Sequence, residues 1–135
     1  MTLFRIAVLL VLLTVPAAAQ EEKKTAIEVV QAELSICLGY YSFVRGCAIE
    51  QSDINSASVA TANVEKLRKY AYQAGQAVNM SADAMLSRLK LAVEQQQKLL
   101  AGDCKNIGKL DEAYGGRCKQ LSDNPQAVLD QYLKK

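Results

Sequence analysis

Four cysteines, Cys37, Cys47, Cys104 and Cys118, constrain this 135-residue chain more than any other feature. An even number of thiols in an exported chain argues for two disulfides, and four cysteines allow three pairings. Cys37 and Cys47 fall in one predicted helix, where ten residues span about 15 Å, whereas bridged α-carbons lie at roughly 4.4–6.8 Å. A bridge between them would break the helix. Cys104 with Cys118 meets a weaker form of the same objection, because a helix and a glycine turn intervene. Both bridges are therefore expected to tie the first helix to the segment from 104 to 118. If that segment runs antiparallel to the first helix, Cys37 pairs with Cys118 and Cys47 with Cys104; a parallel arrangement pairs 37 with 104 and 47 with 118. Short connections make helices alternate up and down, which favours the antiparallel set, while an unbroken helix through Gly102 would revive the parallel one. A four-thiolate zinc site is the rival use of these residues, but its C-x-x-C spacing is absent, so no metal is expected.

Export is itself read from the first residues. Arg5, an apolar run from Ile6 to Leu13, and then Pro16, Ala17, Ala18 and Ala19 have the three-part layout of a secretory signal with a small-residue cleavage site. The apolar run is too short to span a bilayer, which takes roughly 20 residues. The expected division is a signal peptide at 1–19 and a single domain at 20–135, periplasmic or secreted and without stable membrane insertion. Arg5 leaves with the signal, so the balance of 16 basic and 14 acidic side chains falls to a net charge of +1. Such a surface carries no electrostatic footprint for nucleic acid.

The remainder is patterned for helices. Ile27, Val30, Leu34, Cys37, Tyr41, Val44 and Ala48 step by three and four residues, with Thr25 and Glu28 as a capping box before them and Gly46 as a stop. Ser52 and Asp53 cap a second stripe of Ala57, Ala60, Val64, Leu67, Ala71, Ala74 and Val78. A hairpin turning near residue 50 sets Tyr41 opposite Ala60 and Val30 opposite Ala71, matching large to small. Ser81 caps a third helix with Leu86, Leu89, Val93 and Leu100, widened by Met85, Ala92 and Leu99 and interrupted by Gln96. Gly102 and Asp103 are expected to separate it from a fourth, carrying Cys104, Ile107, Leu110 and Tyr114 and stopped by Gly115 and Gly116. Asn124 and Pro125 open a short tail helix. The fold class is thus all-α: a compact up-down bundle of about four helices plus a short C-terminal helix, with two disulfides.

Little in the chain points to catalysis. Histidine is absent, which removes the commonest general base and the commonest metal ligand together. No phosphate loop, dinucleotide fingerprint or calcium loop occurs, and no cofactor is implied. Tyr40 and Tyr41, just after Cys37, are the most distinctive local feature. Adjacent helical positions diverge by about 100°, so one ring can enter the core while the other faces a groove as a binding anchor. Core packing is the commoner use of such tyrosines.

The pattern Cys37-x-x-Tyr40-Tyr41 early, with Tyr114-Gly115-x-x-Cys118-x-x-Leu121, Asp123 and Pro125 late, resembles a group of small exported helical proteins of proteobacteria. That resemblance implies that Cys37 pairs with Cys118, that the compartment is a bacterial periplasm, and that Cys47 and Cys104 are an added pair. It implies no activity. The expectation is a non-enzymatic interaction or structural module whose partner is another exported protein; the alternative is a bundle that holds a small apolar molecule or lipid.

Overall fold

The computed structural model describes residues 16–134. Most of the expected signal segment, and Lys135, lie outside them. The described chain is helical throughout, as α1 (Ala17–Glu50), α2 (Ile54–Ala77), α3 (Ala82–Leu100), a 3₁₀ turn (Cys104–Asn106), α4 (Ile107–Leu110), a π-helical turn (Asp111–Gly115), α5 (Gly116–Asp123) and α6 (Pro125–Leu133). No helix among these residues is long and apolar enough to cross a membrane.

The long α1 is the axis of the fold, and the other helices pack around it. It starts eight residues before the expected capping box, because the run from Ala17 to Lys24 contains good helix formers and no breaker. Thr25 consequently caps nothing: its hydroxyl donates to the Glu21 carbonyl one turn back, at 3.0 Å. Nor does Gly46 stop the helix, which continues to Glu50. A lone glycine costs a helix only about 1 kcal/mol relative to alanine, less than the neighbouring packing and the Cys47 bridge supply. Termination falls instead to Ser52, in the left-handed region at φ 58°, with the Asp53 amide bonding back to the Ala48 carbonyl at 2.8 Å. Asn79 (φ 56°) and Ala101 (φ 52°) occupy the same conformation after α2 and α3.

Three expected caps are formed. The Asp53 side chain accepts from the Ser56 amide, Ser81 from Ala84, and Asn124 from Ala127. The α1–α2 hairpin turns at residues 51–53, and Val30 and Ala71 both belong to the core, as the large-to-small matching requires. Leu34, Leu67, Leu110 and Leu121 are fully buried at its centre. Each such leucine contributes on the order of 1.5–3 kcal/mol by leaving water.

In α3 the expected stripe is rotated. Leu86 is largely exposed, whereas Gln96 is fully buried, its amide donating to the Ile36 carbonyl at 2.8 Å. Gly39 makes this approach possible, since a β-carbon there would come within 2.6 Å of the Gln96 Oε1. Contacts from Arg88 to Glu28 and Gln31, and from Gln96 to Ile36, advance together along both helices, so α3 runs parallel to α1. The left-handed pair Ala101 and Gly102 then breaks the path. Beyond it the direction reverses: Glu33 meets Arg117, Cys37 meets Cys118, Tyr40 meets Asp111, and Cys47 meets Cys104. Gly115 and Gly116 do not stop this segment, which passes from the π turn into α5 without a break.

Candidate functional site

The two sequence motifs meet around one disulfide. Cys37 on α1 and Cys118 on α5 are bridged, with α-carbons 5.1 Å apart and both sulfurs in the core. One turn further along α1, the Tyr40 hydroxyl donates to Asp111 Oδ1 at 2.7 Å. Burial, and then the bond to Asp111 and its charge, hold the Tyr40 phenol well above the ordinary tyrosine range. Gly115 gives this pair its room: a β-carbon would lie 2.4 Å from Asp111 Oδ1 and 3.2 Å from the Tyr40 oxygen. The glycine of the Y-G-x-x-C pattern therefore serves close approach, and the π turn brings Asp111 beneath the phenol.

On the other side of the bridge Glu33 gathers two partners. Its Oε2 accepts from Arg117 Nε and Nη2 at 3.2 and 2.9 Å, and its Oε1 accepts from the Tyr132 hydroxyl at 2.6 Å. Arg117 also sits 5.8 Å from the centre of the Tyr132 ring. This cluster joins α1, α5 and α6, and the bond to Glu33, followed by burial, raises the Tyr132 phenol. Together, Tyr40–Asp111, Cys37–Cys118 and Arg117–Glu33–Tyr132 form a clasp along α1.

Of the two candidate anchors, Tyr40 is buried within the clasp, while Tyr41 is half-buried. Their rings meet edge to face at 4.9 Å. Tyr41 lines a surface hollow with Val44, Val59 and Ala60, and burial is the main cause of its raised phenol pKa. Tyr40 is thus the ring in the core and Tyr41 the ring at the surface hollow, and the two touch. Sequence reasoning missed Glu33, Asp111, Arg117 and Tyr132, because isolated charged and aromatic residues on helix faces give no signal until the helices are placed. Gln31, Ser35 and Gly39 do step by four along α1, and that row of small and polar side chains could have marked a second buried face.

The outer bridge, Cys47–Cys104, lies near the end of α1, with α-carbons 5.3 Å apart. The Cys104 sulfur is 3.2 Å from Glu50 Oε2, a contact and not a hydrogen bond, since a bridged sulfur carries no proton.

Two apolar grooves flank α2. One, of ≈ 230 Å³, opens between α2 and α3, with Leu38 and Ala71 in its floor and Tyr72, Met85, Leu86 and Leu89 on its walls. Tyr72 and Leu86 are 54% and 65% exposed, large values for such side chains at a groove mouth. The other, of ≈ 320 Å³, lies between α1, α2 and α6, where Ile27, Val30, Tyr70, Ala74 and Leu129 line it without a charged residue. Among the described residues, no group of three or more histidine, cysteine or acidic side chains is arranged to hold a metal. No protein-family model, curated protein or solved structure matches this chain.

Proposed function

We propose that the mature chain is an exported, non-enzymatic interaction module that works in an oxidising compartment such as a bacterial periplasm. The observation that carries this reading is the open α2–α3 groove, whose apolar walls Tyr72 and Leu86 stand exposed on a scaffold braced by two disulfides. Apolar side chains grouped at the mouth of a groove fit a partner that presents apolar side chains of its own. The secretory layout at residues 1–19 and the likeness of the C-x-x-Y-Y and Y-G-x-x-C patterns to small exported proteobacterial proteins support the compartment.

Crosslinking in the native compartment, followed by identification of the captured protein, tests the reading. Leu86→Asp is expected to abolish capture, while Leu91→Asp, also at an exposed apolar residue of α3 but outside the groove, is expected to keep it. Equal capture by both variants would remove the groove from the interaction. The uncharged α1–α2–α6 groove supports a second reading, a site for a neutral apolar small molecule or lipid. Mass spectrometry of organic extracts from the purified protein distinguishes it, since only that reading expects a stoichiometric lipid.

A further inference from the structure

The two bridges differ in what stands between them and solvent. Cys37 and Cys118 are each 1% exposed, and Cys47 is 4% exposed. Cys104 is partly exposed. A disulfide opens when a thiolate attacks either sulfur, so access to one is enough. Cys104 Sγ offers that access, with Cys47 as the leaving group.

Leu100 and Ile107 on either side of Cys104 pack on the core, but no hydrogen bond joins residues 101–106 to α1 apart from the sulfur contact with Glu50. The hydrogen bonds of this turn are local: Asp103 to the Leu100 carbonyl, Asn106 to the carbonyls of Asp103 and Leu100, and Lys105 to the Asp103 side chain. The turn before it passes through two left-handed residues in succession, Ala101 at φ 52° and Gly102 at φ 70°. Alanine is disfavoured in that region, so the turn gains freedom once released. The inner bridge is different, because the clasp keeps 111–132 on α1 through Tyr40–Asp111 and Glu33–Arg117.

We propose that Cys47–Cys104 is a redox-sensitive latch, opened by a dithiol while Cys37–Cys118 stays closed, which frees the connection between α3 and α4 from the end of α1. One thiolate of the dithiol attacks Cys104 Sγ, forms a mixed disulfide and expels the Cys47 thiolate, which takes a proton from water. The second thiolate of the dithiol then attacks the dithiol's own bridged sulfur and expels Cys104. The dithiol loses two electrons as its cyclic disulfide, and the protein gains two thiols. Glu50 sets the pace, because its carboxylate beside Cys104 repels the incoming thiolate. After opening, the same carboxylate lies within reach of the Cys104 S–H as an acceptor.

Dithiothreitol titration of the oxidised protein under native conditions, quenched by alkylation and mapped by mass spectrometry, reads both bridges together. A species alkylated at Cys47 and Cys104 with Cys37–Cys118 intact is expected to accumulate, the outer bridge opening at least about tenfold faster than the inner. Amide exchange at 100–106 is expected to quicken in that species, with exchange at 34–40 unchanged. Glu50→Gln is expected to speed outer opening about fivefold, the factor for removing one like charge at about 4 Å in water. Simultaneous opening, inner-first opening, or a singly reduced species with unaltered exchange at 100–106 would overturn the latch. An unchanged rate in Glu50→Gln would overturn the role given to that carboxylate. The double variant Cys47→Ser, Cys104→Ser is expected to fold, form the inner bridge and match the reduced species in exchange. Its failure to fold would make the outer bridge a structural brace and end the proposal.

Discussion

The inner and outer disulfides join the same two parts of the chain, yet they stand in different surroundings. They close sequence separations of 81 and 57 residues, and chain entropy alone assigns them nearly equal worth, about 4.5 and 4.2 kcal/mol. The difference therefore lies in the native state. Around Cys37–Cys118, fully buried leucines, the Tyr40–Asp111 bond and the Glu33 cluster all hold the same helices together. Around Cys47–Cys104, Leu100 and Ile107 also pack on the core, but the hydrogen bonds of residues 101–106 stay within the turn. In one place the covalent link reinforces an interface that polar side-chain bonds also define; in the other it is joined by apolar packing alone.

That contrast can be broken at several points. Replacing both Cys37 and Cys118 with alanine should have the largest effect, a loss of 4.5 kcal/mol or more, roughly, because core packing goes with the cross-link. Denaturant unfolding checks it, and a loss smaller than that for the Cys47, Cys104 pair would reverse the ranking. Gly39→Ala comes next, at about 1–3 kcal/mol, since the added carbon meets Gln96 Oε1 and Val93 Cγ2 on the buried face beside the inner bridge. Tyr40→Phe should cost about 1 kcal/mol by leaving Asp111 without its donor, and Gly115→Ala should cost a similar amount by displacing Asp111.

The smallest effect is one of pH. Tyr40 is raised in the folded chain, so the stability it contributes is whole below the ordinary tyrosine value of about 10 and is lost as pH rises through its folded value. Thermal midpoints should thus fall above about pH 10, and Tyr40→Phe should flatten that fall. An identical slope in the variant would show that the titration belongs elsewhere, with Tyr132 the next phenol to test.

Much of the fold was legible in the residues. Helical rise alone excluded a Cys37–Cys47 bridge, and the alternation of short-linked helices selected the pairing that is formed. Asp53, Ser81 and Asn124 announced their helices because a side-chain oxygen three residues before an amide is a local geometry, independent of what packs later. Glycine misled at Gly46 and again at Gly115 and Gly116, all of which sit inside helical backbone; Gly115 serves close approach to Asp111, while at Gly46 and Gly116 a β-carbon would meet open space. Gln96 misled for a related reason. Its burial follows from a gap opposite, at Gly39, and a single helix does not reveal the gap it will face. The clasp lay half in view, as the cysteines and tyrosines of two short motifs; its acidic members became visible only with the helices in place.

The two bridges are nested, the 47–104 closure lying wholly inside the 37–118 closure. A protease that severs any one peptide bond between Cys37 and Cys118 therefore leaves both fragments attached through at least one sulfur–sulfur link. Such a nicked molecule would keep its full mass on a non-reducing gel, and its parts would remain close enough to refold as one.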